Sequence, residues 1–143
     1  MTACLGAQRS SRARAEDDIR EAVFKYHMHR FGRGWKDMKV HFLSVNGEDP
    51  SKALMGRFRG HKPPVKPVSQ SVYRDIARGV RDRKTGEKGV VFRADKITWR
   101  SKTKVEVEGS YFVDGRAASG STNSVEMRNG RWVVAKAKRH WIA

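Results

Sequence analysis

The sequence predicts an α+β domain in which one long helix packs across a curved, antiparallel β-meander. Three observations predict this class. Apolar residues recur at helical spacing between residues 16 and 31. Several β-rich segments follow, separated by short turns that contain Gly, Asn or Asp. Asn129-Gly130 lies between the last two segments, and Asn-Gly is the strongest short signal for a two-residue hairpin.

The composition fits one soluble domain of 143 residues with a mean hydropathy of −0.73. We expect a flexible basic arm over residues 1–15 and a single domain over residues 16–143. Cys4 is the one cysteine, which excludes an intramolecular disulfide and a cysteine-based zinc site. No stretch has the roughly 20 apolar residues of a membrane span, and residues 1–15 lack the apolar core of a secretory signal. We therefore expect a cytoplasmic protein without membrane contact.

The charge balance is strongly basic, with 31 Lys and Arg against 15 Asp and Glu and a net charge of +16. Such a charge attracts polyanions. It is spread evenly along the chain, without the basic tail of a dedicated nucleic-acid arm. The chain contains no glycine-rich phosphate loop, no Ser-His-Asp order and no RNP-type strand. Nucleic-acid binding, if it occurs, is therefore expected to be non-specific and sensitive to salt.

The first helix is predicted over about residues 16–31. Its first turn would contain the carboxylates of residues 16–18, which oppose the helix dipole favourably. Ile19 and Val23 share one apolar face, and a second apolar stripe widens that face, so the helix should be largely buried. Gly32 is expected to end it.

Shorter elements are predicted next. A strand runs over about residues 39–45, and Asn46-Gly47 turns the chain. Asp49 is expected to cap a short second helix that begins at Pro50. After a proline-rich connector, a strand is predicted over about residues 68–80.

The rest of the chain is predicted to form the meander. Residues 81–89 form a polar hairpin tip, and strands follow over about residues 90–99 and 104–113. The last pair flanks Asn129-Gly130. The final strand, rich in Trp, Val and Ile, is expected to be a paired, interior strand.

Several short segments of the sequence resemble segments of other proteins. They are Asp49-Pro50-Ser51, Gly-His-Lys-Pro-Pro-Val at 60–65, Lys-Thr-Gly-Glu-Lys-Gly at 84–89, Val-Glu-Val-Glu-Gly at 105–109, Trp-Val-Val at 132–134 and His-Trp-Ile at 140–142. These are similar to a group of short bacterial proteins of unknown function, some of them similar to products of mobile gene cassettes. The likeness covers about residues 18–142.

The order of elements, helix first and meander last, resembles the cystatin-like and nuclear-transport-factor-two-like α+β fold. That fold includes ketosteroid isomerases, polyketide cyclases and dehydratases, which use acidic residues with Tyr or His in the cone between helix and sheet. Their catalytic residues do not match this chain position by position. The resemblance therefore implies a ligand cone and assigns no catalytic residue.

Five residues are candidates for binding a ligand in that cone: Tyr26 from the helix and Arg93, Asp95, Tyr111 and His140 from the sheet. Tyr111 follows the face of the valines in its strand, so it is expected inside. An ordinary core tyrosine is the alternative.

Arg93 and Asp95 share one face of the strand over residues 90–99. If that face points into the cone, a charged pair lies among apolar residues, where pKa values shift usefully. The other register buries Phe92 and Ala94 and leaves the pair in solvent, where it contributes little stability. The sequence leaves both registers open.

His140 could transfer protons near neutral pH, or it could be a histidine satisfied by a neighbour at the end of the sheet. Glu106 and Glu108 alternate with valines, which places them on a solvated face. His27 and His29 lie two residues apart on a helix and face different ways. We therefore predict no metal site and no cofactor.

The leading hypothesis is a protein that binds a small organic ligand in the cone, with no activity assigned and catalysis left open. A second is non-specific binding of nucleic acid or another polyanion through a basic surface. A third is a homodimeric interaction module that pairs through its sheet.

Overall fold

The computed structural model describes residues 2–32, 37–115 and 117–142, with side chains from residue 11 onward in those ranges. These residues form two helices, eight strands and one short 3₁₀ turn. In chain order the elements are α1 Thr2–Gly32, β1 Val40–Ser44, α2 Lys52–Gly56, β2 Val65–Pro67, the 3₁₀ turn Val68–Gln70, β3 Ser71–Tyr73, β4 Val80–Asp82, β5 Gly89–Trp99, β6 Lys104–Asp114, β7 Ala117–Arg128 and β8 Arg131–Ile142. The predicted α+β class is confirmed.

Six strands form one sheet in the order β2-β1-β5-β6-β7-β8, while β3 and β4 form a separate two-stranded ribbon. Strands β5 to β8 are antiparallel neighbours in chain order, so the predicted meander is confirmed for them. β1 pairs parallel with both β2 and β5, which the sequence did not indicate. The long connection through α2 and the ribbon allows this, because parallel neighbours need a crossover that returns the chain to the same end.

α1 lies across one face of the sheet, the inner face, and buries the apolar stripe predicted from its spacing. Ile19 and Val23 are fully buried. Near the end of the helix, the ring of Phe31 has its centroid 5.4 Å from that of Phe92 in β5 and 5.0 Å from that of Tyr111 in β6. Burial of each large apolar side chain contributes roughly 1.5–3 kcal/mol, so this stripe holds the helix on the sheet.

The helix begins at Thr2 rather than near residue 16, so residues 2–15, expected to form an arm, continue the helix. The carboxylates of residues 16–18 therefore do not lie in its first turn. Arg12 supports the early part of the helix. Its guanidinium lies 4.1 Å from the centroid of the Trp99 ring, and its Nε lies 3.5 Å from Glu16 Oε1. The cation–π contact and the ion pair one turn apart both stabilise this part of the helix. Neither requires apolar residues at helical spacing, so the apolar pattern of the sequence did not indicate it.

The outer face of the sheet carries a second, smaller core, which the ribbon covers. Val40 and Phe42 of β1 and Val91 of β5 pack there with Val80 of β4. As a result, all five residues of β1 are buried, and the strand shows no alternation between buried and exposed positions.

The strand predicted over residues 68–80 is wrong, because the segment contains a 3₁₀ turn, the short β3 and a loop before β4. Asp75 organises the loop. Its Oδ1 accepts from the backbone N–H of Arg78 at 2.8 Å, and its carbonyl accepts from the N–H of Gly79 at 2.9 Å. Gly79 has φ of 64°, a conformation that ends an extended segment and favours glycine.

The cap of α2 also differs from the prediction. Ser51 is the N-cap, and its Oγ accepts from the backbone N–H of Leu54 at 3.1 Å. Asp49 instead accepts from the N–H of Ser69 at 2.8 Å and from its hydroxyl at 2.6 Å. Both residue types are good helix caps, so the sequence did not distinguish them.

The hairpin at Asn129-Gly130 is confirmed, with φ of 51° and 77° at the two turn residues and Arg128 paired to Arg131. β8 is paired along its length to β7, but it lies at the edge of the sheet. Most of its side chains are exposed, and Trp141 is 51% exposed. The expectation of an interior final strand is therefore wrong.

Candidate anion-binding cleft

An open cleft lies between the C-terminal half of α1 and strands β6, β7 and β8. We refer to it as the α1 cleft. Its volume is about 490 Å³. The residues that line it are Tyr26, His27, Arg30, Phe31, Tyr111, Ser119, Ser121, Ala137 and Arg139. The helix contributes aromatic and basic groups, and the strands contribute hydroxyl groups and a second arginine.

His27 and Asn123 form a polar pair at the buried side of the cleft. Nε2 of His27 lies 2.7 Å from Oδ1 of Asn123. Asn123 is fully buried, and its Nδ2 donates to the carbonyl of Val107 at 3.1 Å and to Oγ of Ser121 at 3.4 Å. Because the amide nitrogen points to these acceptors, the amide oxygen faces the imidazole, and Nε2 must carry the proton that it donates. Nδ1 of the neutral imidazole is then an acceptor, without a hydrogen-bond partner in the described part of the chain.

Gly109 of β6 makes room for this pair. A Cβ at that position would lie 2.7 Å from Nδ2 of Asn123 and 3.6 Å from Nε2 of His27. The first distance is too short for a carbon contact, so any side chain would displace the amide. The glycine is required here by close approach rather than by its backbone angles.

Two guanidinium groups face the cleft, Arg30 from α1 and Arg139 from β8. Nη1 of Arg30 donates to the hydroxyl of Tyr26 at 3.0 Å, and the guanidinium carbon lies 5.4 Å from the centroid of that ring. Arg139 forms no ion pair with any residue that the structure describes. Among the described residues that line the cleft, none is acidic. The cleft therefore presents positive charge without a carboxylate to offset it.

The electrostatics of His27 reflect this arrangement. Burial lowers the pKa of His27 from its ordinary 6.5, while the hydrogen bond to Asn123 raises it and the charges of Arg30 and Arg139 lower it further. The imidazole is therefore neutral at pH 7, and the charge of the cleft rests on the two arginines. Both guanidinium groups act on the same imidazole, one from the helix and one from the sheet.

A second opening of about 690 Å³ adjoins the cleft and shares Tyr26 and Arg30 with it. Its other lining residues are Ala22, Lys25, His29, Trp132, Val133 and Val134. Trp132 and Val134 face the inner side of the sheet and pack against the main core. This opening is therefore more apolar than the α1 cleft.

Of the five residues predicted to bind ligand, Tyr26 and Tyr111 line the cleft, and Arg93, Asp95 and His140 do not. The two tyrosines come from opposite walls, the helix and β6. The three charged or titratable candidates lie elsewhere, for two separate reasons.

Arg93 and Asp95 lie away from the cleft because Val90, Phe92 and Ala94 form the inner face of β5, so the alternative register is the one observed. Beyond Ala94 the strand contains a bulge. The register of its pairing with β6 shifts between Ala94 and Ile97. Ala94 is buried and Arg93 is exposed, while Oδ1 of Asp95 accepts from the backbone N–H of Asn46 at 2.8 Å. The bulge returns Ile97 to the core, so a strict alternation through the strand does not hold. The expectation that Arg93 or Asp95 reaches the cone is wrong.

His140 lies on the outer face of the sheet. Its Nε2 lies 2.5 Å from Oγ1 of Thr122, whose hydroxyl donates to Glu108 at 3.2 Å. The threonine oxygen therefore accepts from Nε2 of the imidazole. The prediction that His140 reaches the pocket is wrong, and the alternative, a histidine satisfied by a neighbour, describes its contacts.

Sequence reasoning missed the other polar residues of the cleft, which are His27, Arg30, Ser119, Ser121 and Arg139, together with Asn123 beneath them. One feature of the sequence could have indicated the contact between His27 and Asn123. Asn123 has the same parity in β7 as the buried Val125, so it had to face the helix, where a buried amide needs a partner. No comparable signal identifies Arg139, because β8 contains register shifts that change which side chains face inward.

Another histidine is buried away from the cleft. His41 is 4% exposed, and burial, with a smaller effect of His61, lowers its pKa to about 4. The two rings have centroids 5.9 Å apart. Within the described ranges, no three side chains of His, Cys, Asp or Glu come together as metal ligands.

Comparison with protein-family models, with curated proteins and with solved structures gave no match to this chain in any of the three. In the part of the chain that the structure describes, no helix combines the length and apolar character needed to cross a membrane.

Proposed function

We propose that the protein binds a small organic anion, a carboxylate or a phosphate monoester, in the α1 cleft. The observation that carries this proposal is the convergence of Arg30 and Arg139 on a cleft of about 490 Å³ whose described lining contains no acid. That volume is within the range of small-molecule sites. Guanidinium groups bind carboxylates and phosphates through two parallel hydrogen bonds, which fixes both charge and orientation.

The other groups of the cleft suit the rest of such a ligand. The hydroxyls of Tyr111, Ser119 and Ser121 can donate to or accept from its polar atoms. Nδ1 of His27 can accept one hydrogen bond from a ligand donor. The adjoining opening, with Trp132 on its wall, can hold an apolar portion.

We also propose that the domain has the cystatin-like or nuclear-transport-factor-two-like fold. A long helix across the inner face of an antiparallel meander supports it, as does a cleft between the helix and the later strands. The parallel strand β1 and the ribbon on the outer face would then be additions to that arrangement.

Dimerisation through the sheet is less well supported. The longer of the two edge strands is β8, which contains Arg131, Lys136, Lys138 and Arg139 and no acidic residue. Pairing of two such strands would bring like charges together. The register shifts along β8 also disturb the edge, and charges and bulges are the devices by which proteins protect an edge strand from pairing.

Neighbouring residues of β8 provide the test. Arg139 faces the cleft, and Lys138, one position away, is paired with Thr122 on the outer face. We expect Arg139→Gln to weaken binding of phenyl phosphate or benzoate about tenfold or more, because a hydrogen bond to a charged group contributes about 1.5–3 kcal/mol. Titration calorimetry measures the affinity, and benzyl alcohol is the uncharged probe.

Lys138→Gln removes the same charge and is the matched control, with an expected change of less than twofold. Equal losses in the two variants would mean that the anion responds to the general charge of the protein. Equal affinity for benzyl alcohol and phenyl phosphate would also contradict the proposal, because the arginines would then make no difference.

A further inference from the structure

The ribbon on the outer face has two chemically different sides. Val72 of β3 lies opposite Arg81 of β4, and Tyr73 lies opposite Val80. The second pair faces the main sheet, where Val80 is 2% exposed and the ring of Tyr73 has its centroid 4.9 Å from that of Phe112. Because side chains alternate along a strand, the first pair faces away from the sheet.

Four arginines gather on that outward side around an open cleft of about 370 Å³. The residues that line it are Val72, Arg74, Arg78, Gly79, Arg81, Asp82, Arg83 and Gly86. We refer to this surface as the arginine ribbon. Among the described residues that line it, Asp82 is the one acid.

Asp82 does not neutralise the arginines, because its charge is already matched. Its side chain is 1% exposed, and Oδ2 accepts from Nζ of Lys66 at 2.5 Å. Oδ1 accepts from the backbone N–H of Lys84 at 2.8 Å and from that of Thr85 at 3.1 Å. With these contacts the carboxylate closes the turn of the ribbon, and the positive charge on the outward side remains.

Two of the arginines are held in place by backbone carbonyls. Nε of Arg81 donates to the carbonyl of Arg78 at 2.8 Å, and Nη1 donates to that of Gly86 at 3.1 Å. Nε of Arg83 donates to the carbonyl of Ser69 at 2.9 Å. A guanidinium has five N–H donors, so these contacts orient each group and leave donors for a ligand.

Arg74 and Arg78 complete the surface from the loop between the strands. Both are exposed, and neither side chain forms an ion pair within the described residues. Lys84 adds a further exposed cation in the turn that follows β4. The result is a row of cations on an open surface, which differs from a closed pocket for one small anion.

We propose that the arginine ribbon binds the phosphodiester backbone of a nucleic acid. Planar guanidinium groups match phosphate oxygens, and several of them spread over an open surface can contact successive phosphates. The binding is expected to be independent of base sequence, because no described feature of the ribbon reads base edges. This site lies on the outer face of the sheet, and the proposal is independent of the α1 cleft.

Fluorescence anisotropy with a labelled oligonucleotide, single-stranded and as a duplex, tests this between about 50 and 200 mM salt. The informative variant is Arg74→Gln/Arg78→Gln, which removes two charges without touching the carbonyl contacts of Arg81 and Arg83. The slope of log affinity against log salt should become smaller by about 1.4–1.8, since each lost phosphate contact contributes about 0.7–0.9.

The matched control is Lys136→Gln/Lys138→Gln, which removes the same charge from exposed positions of β8. We expect its salt slope to equal that of the unchanged protein. Equal changes in both variants would overturn the proposal, because binding would then follow the total charge. It would also be overturned if inorganic polyphosphate bound through Arg74 and Arg78 while neither form of the oligonucleotide bound.

Discussion

The α1 cleft and the arginine ribbon both gather arginines, but they do so on opposite faces of the sheet and with opposite degrees of enclosure. In the cleft, Arg30 and Arg139 lie on either side of a helix–sheet gap that a small molecule would fill. In the ribbon, Arg74 and Arg78 project from an open loop. Enclosure, rather than the number of arginines, therefore decides which anion a cluster suits: a small ligand in the enclosed cleft, and a chain of phosphates on the open surface.

The two sites also differ in the buried polar group beneath them. Under the cleft lies Asn123, a neutral amide that orients His27 through one hydrogen bond. Under the ribbon lies Asp82, an ionised carboxylate paired with Lys66. A buried amide tolerates a neutral partner, whereas a buried carboxylate requires a cation, so the two sites should respond differently to substitution.

The largest effect is expected from Asp82→Ala. This change leaves Lys66 without its carboxylate and removes the acceptor for two backbone N–H groups of the turn. We expect the free energy of unfolding to fall by about 3 kcal/mol, at the low end for a broken buried pair because the side chain of Lys66 is partly exposed. Urea unfolding measures it.

Asp75→Asn is the matched control within the same ribbon, because asparagine can still accept from the N–H of Arg78. Its expected change is below about 0.5 kcal/mol, as for an ordinary surface substitution. The affinity of the α1 cleft for phenyl phosphate should be the same in both variants. If Asp82→Ala also weakened that binding, the two sites would not be separate.

A smaller effect, about 2 kcal/mol, is expected from Asn123→Ala. The change leaves Nε2 of His27 and the carbonyl of Val107 without their partner, and an unsatisfied buried polar group costs about 1–3 kcal/mol. Urea unfolding again measures the loss. Ser124→Ala, the next residue on the outer face, should change stability little. Comparable losses in both would contradict the buried role of Asn123.

How much of this could be predicted from the sequence depends on whether the alternation of a strand is interrupted. In β6 the alternation is regular from Val105 to Tyr111, and Tyr111 lies inward as its parity predicts. In β5 the bulge after Ala94 changes the parity, so Ile97 packs in the inner core although Arg93, at the same parity, is exposed. A bulge has no simple sequence signal, so which residues face inward beyond it cannot be derived from spacing alone.

The hairpin and the helix face were predictable because their causes are local. Asn129-Gly130 needs only its own backbone angles, and the stripe containing Ile19 needs only helical spacing. The centre of the cleft is not local: His27 meets Asn123 across 96 positions of the chain. Such a contact depends on how the helix lies across the sheet, which no short segment determines. The fold class was therefore predictable, and most of the site was not.

The smallest effect on stability is expected from the protonation of His27. At about pH 7.5 its imidazole is neutral in both the folded and the unfolded chain, so it has no effect there. Its pKa in the folded protein is lower than the unfolded value near 6.5, mainly through burial. Below about pH 6.5 the unfolded chain therefore takes up a proton more readily than the folded one, and stability falls as the pH falls. His41, with a pKa of about 4, acts in the same direction. When the pH is lowered from about 7.5 to 5.5, the free energy of unfolding of the His27→Gln variant should fall less than that of the unchanged protein.

The titration of His27 also separates the two proposed sites. An anion between Arg30 and Arg139 would offset the charges that lower its pKa, so phenyl phosphate should raise the pKa of His27. An oligonucleotide on the arginine ribbon lies on the other face of the sheet and should leave it unchanged. The C2 proton of the His27 imidazole, followed by NMR against pH, gives both results. An equal rise with both ligands would mean that the nucleic acid enters the cleft, and the division between an enclosed site and an open one would fail.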